Sequence, residues 1–488
     1  MSNSAVDGLE PATLWKYFAE LSRIPRESKH ERAAGDYVVR VAKELGLVHA
    51  RDAVGSVVVR KPASAGREQA PSLCLQGHLD MVCVARPGKR HDFARDPIVL
   101  VRDGECITAD GTTLGADNGI AVATNLALMA GRTLEHGPLE LLFTVDEETG
   151  LTGASRLDPA MLQSRILINL DSEDEGTLTV GCAGGRDTTA TWPLITEAPR
   201  AGSVAVEVRV TGLKGGHSGV EIHQGRGNAI KMLARVVAAL EPLETRIVQL
   251  EGGSKRNAIP AEAGAVVCLP KPSLDEARAT ATRMKDVLRT ELGGVEPGLD
   301  VVVTPSRSRP SRVYKRAFQR QVLRVLSALP HGVMKMSAEI PGLVETSTNV
   351  AVLRQMPRRL TLSSSQRSMV ASEIQEIIDS VVAILELGGA TVTGTDAYPG
   401  WKPNLESSIL ANAVRTYREM YGHDPKVGAI HAGLECGIIG KRIPGMDMVS
   451  LGPNIHGAHS PEERVEIASV KRYWDYLLAI LRNTGQRA

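Results

Sequence analysis

Short apolar runs that stop at polar residues punctuate the first part of the chain. Ser72–Gln76 runs into Gly77-His78-Leu79-Asp80, Leu139–Val145 ends in Asp146-Glu147-Glu148-Thr149-Gly150, and Ile166–Leu170 ends in Asp171-Ser172-Glu173-Asp174. Apolar runs of this length, bounded by turn-forming residues, predict buried strands. Helical periodicity over 12–21 and 31–45, and the nearly unbroken apolar stretch Ile120–Met129, predict helices among them. Strands alternating with helices predict an α/β sheet, and such sheets collect ligands at the carboxyl ends of their strands. The polar stops stand at those ends.

Farther along, the pattern changes. Residues 204–210 alternate as a half-buried strand, 228–240 read as a helix, 247–250 and 263–269 as strands, 274–292 as a helix and 301–303 as a strand. This is the βαββαβ order of a ferredoxin-like unit. A comparable set follows, with a helix over 315–329, strands over 350–353 and 359–365, a helix over 371–387 and a strand over 391–393. The α+β segment therefore reads as a candidate doubled unit, without a residue-level repeat.

Composition narrows the class. The chain has 488 residues, enough for two or three domains, and 43% hydrophobic with 23% charged residues is a globular balance. A net charge of +1 gives no electrostatic case for nucleic acid or a membrane surface, and 3% aromatics supply no base-stacking platform. Six cysteines lie scattered without a C-x-x-C pair, which reads as reduced thiols. With no signal-like amino terminus and no apolar run near the roughly 18 residues of a membrane span, the expected compartment is the cytoplasm.

The polar stops carry the candidate chemistry. His78, Asp117, Glu147, Glu148, Asp171 and the late His459 supply two imidazoles and four carboxylates. That set can hold two divalent ions with one carboxylate shared and one acid left to activate water. Each piece has a plainer reading. His78 and Asp80 are two apart on a strand end, so Asp80 can orient the imidazole or be a solvated acid. Asp117 stands where a helix cap is common, and capping and bridging both fit it. Glu147-Glu148 alone would be an acidic turn.

Taken together, GHLDMV (77–82), TTLGADNGIA (112–121), FTVDEETGLTGA (143–154), NLDSEDEGTLTVGCAGG (169–185), KGGHSGVEIHQGRGNA (214–229), RNAIP (256–260) and GAHSPEERV (457–465) follow one another over nearly the whole chain. In this order they resemble the aminoacyl-histidine dipeptidase (peptidase D) branch of the co-catalytic zinc exopeptidases, whose clan also includes aminoacylases, glutamate carboxypeptidases and tripeptidases. The resemblance implies His78, Asp117, Glu148, Asp171 and His459 as ligands of two metal ions, Zn2+ foremost with Mn2+ or Co2+ as substitutes, and Asp117 as the bridge. It further implies Asp80 behind His78, Glu147 as general base, His217 as an oxyanion donor and a cis peptide after Asp117. For substrate contacts it points to Asn257, Gly433 and Glu435. Ala261-Glu262 stands where relatives often have Arg-Glu, so that arginine contact is not expected here.

Because His459 follows so late, the catalytic domain is expected to be discontinuous, 1–186 with 397–488, and 187–396 to be an inserted lid. Arg367 is a candidate partner for a peptide carboxylate through its planar fork. His223, His431 and His456 are read as structural. The expected function is hydrolysis of short unblocked peptides, Xaa-His dipeptides included, with a metal-activated water and Glu147 moving the proton. The alternatives are a tripeptidase, a zinc aminoacylase or deacylase, and a metal-stabilised binding protein. Glu147 disfavours the last, since holding metal does not require it. The partner expected is a small peptide, with a homodimer left open.

Overall fold

The computed structural model describes residues 4–485, which fall into two compact units. The first takes in the chain up to Gly181, Trp401–Ala429 and the chain from Leu434 onward; the second is Cys182–Gly400 with Ile430–Gly433. The strand Gly184–Pro193 runs across residue 186, so the second unit begins earlier than the boundary read from the sequence. The return at Ile430–Gly433 is absent from a three-segment division.

The first unit is built on an eight-stranded sheet. Its order is Val48–Arg51, Val57–Lys61, Leu139–Thr144, Leu73–His78, Ile166–Asn169, Asp447–Ser450, Thr177–Cys182 and Lys426–Ile430. The neighbours from Leu139–Thr144 through Asp447–Ser450 are parallel, so their carboxyl ends share one edge. Every residue of Leu73–His78 and Leu139–Thr144 is buried. Parallel strands covered on both faces are apolar throughout, which is why these segments do not alternate.

The helix Ala116–Ala130 packs on Leu73–His78. Gly77 permits the approach: a Cβ there would stand 2.5 Å from Asn118 Oδ1 and 2.7 Å from the Ala121 Cβ. The helix begins irregularly, with ψ of 110° at Asp117, and the Asp117–Asn118 peptide is cis. A four-stranded sheet of Ile455–His456, Arg464–Glu466, Cys106–Ala109 and Leu100–Asp103 carries the turn that bears His459.

The second unit has one nine-stranded sheet. Eight strands run in the order Asp300–Pro305, Ser203–Thr211, Ala263–Pro270, Arg246–Gly252, Val344–Met356, Arg359–Ser368, Gly184–Pro193 and Thr391–Gly394, and Gly332–Met336 pairs beside Val344–Met356. In chain order the first four read 4-1-3-2, the ferredoxin-like arrangement. The last four read 2-3-1-4, the same arrangement reversed, once Gly184–Pro193 is counted as the first strand. The unit is therefore doubled, and its first half is inserted after the first strand of its second half. Arg246–Gly252 joins the halves by pairing antiparallel with Val344–Met356. One core spans both, with Trp192, Val208, Leu233, Phe318 and Leu385 among its buried members.

Candidate metal and catalytic site

Parallel strands deliver candidate ligands to one edge of the first unit's sheet. His78 is the last residue of its strand, Asp171 lies two residues beyond Ile166–Asn169, and Glu147 and Glu148 open a short helix just after Leu139–Thr144. Asp117 comes from the start of Ala116–Ala130 and His459 from the turn after Ile455–His456. One oxygen of Asp117, Oδ1, is 3.1 Å from His78 Nε2, and its other, Oδ2, is 3.0 Å from His459 Nε2. Asp171 Oδ1 stands 3.4 Å from His78 Nε2 and Glu148 Oε2 3.0 Å from His459 Nε2.

Two donor sets result, His78 with Asp117 and Asp171, and Asp117 with Glu148 and His459, each with its ligand atoms within 4.8 Å of one another. Asp117 belongs to both. Glu147 also lies with His78 and Glu148 in such a group, so the geometry sets it beside the donor sets rather than away from them.

The charges at this edge call for cations. His459 is pushed up to about 11 by hydrogen bonds to Asp117 and Glu148. Burial lowers His78, but Asp171, Asp117 and Asp80 outweigh it and hold the imidazole well above its usual value. Burial also raises Glu148 and Asp171, sends Glu147 well above the carboxyl range, and with Asp117 and Asp171 nearby takes Glu173 to about 8. Protons thus gather on imidazoles and carboxyls alike, as in a cluster of donors built for positive charge. The donor set of two imidazoles and three carboxylates fits a pair of divalent ions.

Asp80 supports this edge from behind. It is fully buried and lies past the end of the strand; its carbonyl is 3.2 Å and its Oδ1 3.4 Å from His78 Nδ1. Its carboxylate also accepts the backbone N–H groups of Glu147 at 3.0 Å and Glu148 at 3.1 Å, and the Ser28 hydroxyl at 2.8 Å. Burial would raise it, yet the bonds from His78 and these donors bring it down to about 2. A single side chain therefore meets the imidazole of His78 and the backbone of both members of the glutamate pair. Asn118 adds a second tie, accepting from the His78 N–H at 3.1 Å and donating to the Leu170 carbonyl at 2.9 Å.

Glu435 lies in the same unit and is fully buried. Its Oε2 accepts from Gln76 Nε2 and Thr144 Oγ1, both at 2.6 Å, while Oε1 has no hydrogen-bond partner. Burial is the main cause that pushes this carboxyl up to about 7. Behind it a buried polar row crosses the sheet: Asn169 donates to Gln76 at 2.6 Å, and Ser450 Oγ donates to Asn169 at 2.5 Å. Sequence reading singled out Glu435 but not this row, which strand register alone creates.

His217, Asn257, Arg367 and Gly433 belong to the second unit. His217 Nδ1 accepts the N–H groups of Gly219 at 3.2 Å and Val220 at 3.1 Å, which leaves the ring proton on Nε2 and makes that atom a donor. Asn257 is exposed, and its carbonyl accepts from the Ser218 N–H at 2.8 Å. Arg367 is 8% exposed, donates to Tyr398 Oη at 3.2 Å, leaves Nε without a partner and has no carboxylate partner among the described residues. Gly433 flanks the same tyrosine, since a Cβ there would stand 3.2 Å from its ring. His431, two residues earlier, is buried with Nε2 2.7 Å from Ser347 Oγ.

Comparison with known proteins gives the family. The model of "Peptidase family M20/M25/M40" matches residues 74–483. The chain is 41% identical over 480 residues, 98% of its own length and 99% of the other, to a cytosol non-specific dipeptidase of Escherichia coli (strain K12). The structure of an aminoacylhistidine dipeptidase from Vibrio alginolyticus superposes with a TM-score of 0.90 at 42% identity, covering 100% of both chains. A tripeptidase from Staphylococcus aureus shares the fold, with a TM-score of 0.57 at 17% identity over 98% of this chain and 100% of that one. The chain belongs to peptidase family M20/M25/M40 and is a peptidase.

Proposed function

We propose that this peptidase is a metal-dependent dipeptidase acting on unblocked dipeptides, Xaa-His pairs such as β-alanyl-histidine among them. The observation that carries the chemistry is Asp117, with one carboxylate oxygen at each of two ligand imidazoles. His78 and Asp171 complete one donor set and Glu148 and His459 the other. Zn2+ is the ion proposed for both, with Mn2+ or Co2+ as substitutes. Two such ions, when bound, would supply Lewis acidity and lower the pKa of a water.

The chain's own residues do the rest. Glu147 takes the proton of the water and returns it to the leaving amine, which requires the carboxylate form at the start; burial opposes that form in the metal-free cluster, and the positive charge of two bound ions would favour it. Asp80 fixes the backbone of Glu147 and so the aim of that carboxylate. His217 is assigned the oxyanion role on the resemblance, which its turn permits by leaving Nε2 as a donor. Arg367, buried without an acid, is suited to the substrate carboxylate, with Gly433 leaving room beside Tyr398. The unpartnered oxygen of Glu435 suits the free ammonium group of an unblocked peptide. Asn257 is assigned a substrate contact on the resemblance alone.

The names of two relatives support the substrate class, one a non-specific dipeptidase and one an aminoacylhistidine dipeptidase. Free cysteines and a relative named for the cytosol support a cytosolic protein, and no helix among the described residues is long and apolar enough to cross a membrane. The test is a substrate panel with purified Zn2+-loaded protein. Unblocked dipeptides are expected to be cleaved faster than N-acetyl amino acids or long peptides, and activity should vanish on chelation and return with Zn2+. An amidated dipeptide should lose roughly 1.5 to 3 kcal/mol of transition-state stabilisation, the value of a charge-assisted bond. Preference for N-acyl amino acids over every dipeptide would make the chain a deacylase. Light scattering of the same preparation separates a homodimer from a single chain.

A further inference from the structure

Two buried charged residues outside the donor sets converge on the backbone around Asp117. Glu463, 2% exposed, follows His459 in the same turn, where its N–H bonds the Ser460 carbonyl at 3.1 Å. Its Oε2 accepts the N–H groups of Leu114 at 2.7 Å and Gly115 at 2.9 Å, and its Oε1 accepts that of Asp117 at 3.2 Å. The helix Ala116–Ala130 has no side-chain cap from Gly115, and a carboxylate remote in sequence meets the open N–H of Asp117 together with those of the two residues just before the helix.

Arg26, also 2% exposed, works on the carbonyls. Its Nη1 donates to Leu79 O at 3.0 Å and Asp80 O at 2.9 Å, and its Nη2 donates to Gly115 O at 2.5 Å. One guanidinium thus ties the chain just past His78 to the chain just before Asp117. It also accounts for two glycines: a Cβ on Gly115, which has φ of 69°, would stand 2.5 Å from Nη2, and one on Gly119 2.7 Å from it.

We propose that Arg26 and Glu463 are positioning residues for the two-ion centre. Between them they hold the main chain at Leu79–Asp80 and Leu114–Asp117. They thereby set the two oxygens of Asp117 at their distances from His78 and His459. Because Glu463 shares a turn with His459, the same carboxylate couples the position of the shared ligand to that of the last one. The inference rests on the two-ion reading above.

The test uses the full-length protein and Zn2+. Glu463→Gln keeps the shape but turns an amide N–H toward backbone N–H groups, and Arg26→Lys keeps the charge but cannot span three carbonyls. Metal affinity is measured by competition with a chromophoric chelator, and Tm is measured metal-free and Zn2+-loaded. Each variant is expected to bind Zn2+ roughly 10 to 100-fold more weakly, the usual effect of losing a group that orients ligands. The Tm increment conferred by Zn2+ should shrink with it, and excess Zn2+ should recover much of kcat. Equal falls in both Tm values with unchanged affinity would reduce the pair to a remote helix cap and overturn the proposal. Should Glu463→Gln fail to fold, Arg26→Lys decides alone. Failure of the two-ion reading is seen separately, as a parent protein that binds fewer than two ions.

Discussion

Adjacent glutamates in one short helix are proposed to do different work, and the difference can be measured residue by residue. Glu148 meets His459 at 3.0 Å, whereas Glu147 lies among acids with no such imidazole bond. Glu147→Gln keeps size and removes basicity, so kcat should fall by roughly 10²-fold or more while metal content stays near that of the parent. Asp171→Ala and His459→Ala should instead lose metal, as read by elemental analysis. Loss of both ions in Glu147→Gln with none lost in Glu148→Gln would exchange the two roles. His217→Ala should lower kcat with little change in metal content, by about 2.7 to 4 kcal/mol in transition-state terms, the scale of a lost oxyanion donor. Unchanged kinetics would make His217 a turn residue whose imidazole serves only Gly219 and Val220.

Elements explain which of these residues could be read from sequence. That His78, Glu148 and Asp171 would come together was legible because they follow apolar runs that end abruptly, and a parallel sheet brings such ends to one edge. Helices Leu274–Leu292 and Ala371–Leu387 were legible with their bounds, since each sustains its periodicity over many residues. Gly184–Pro193 was not, because Thr188, Ala190 and Trp192 face inward from a run whose outward residues are also small or polar. Arg26 and Glu463 were not because they act on main-chain groups, and no side-chain spacing records that. Gly77, which lets its strand approach the helix Ala116–Ala130, was equally silent. Gly77→Ala should overpack the contact of Leu73–His78 with Ala116–Ala130 and destabilise by about 1 to 3 kcal/mol, read as a lower Tm of the metal-free protein. A parent-like Tm would mean that Asn118 can withdraw its side chain at little cost.

At the scale of the whole molecule, the return of Ile430–Gly433 to the second unit has a pH signature. Burial first, and Arg367 next, push His431 down to about 3. Its unfolded value is about 6.5, so below that pH the unfolded chain takes up a proton that the folded chain refuses. The stability in question is complete above about pH 6.5 and is lost as pH falls toward 3, by up to about 1.4 kcal/mol per pH unit. Urea melts of the parent and His431→Gln between pH 7 and 4 should therefore show a shallower acid loss in the variant. Parallel slopes would assign the acid sensitivity elsewhere.

The order of strands in the first sheet also carries a consequence for synthesis. Asp447–Ser450 lies between Ile166–Asn169 and Thr177–Cys182, so its place is kept open while more than half of the chain is still to be made. The strands 203–305 of the second unit, by contrast, close a ferredoxin-like set from consecutive sequence. Non-local pairing is slow to form and domains tend to fold as they emerge. The edge that gathers the candidate ligands is thus expected to close late, and on the two-ion reading proposed above peptide cleavage would have to wait for the turn that bears His459.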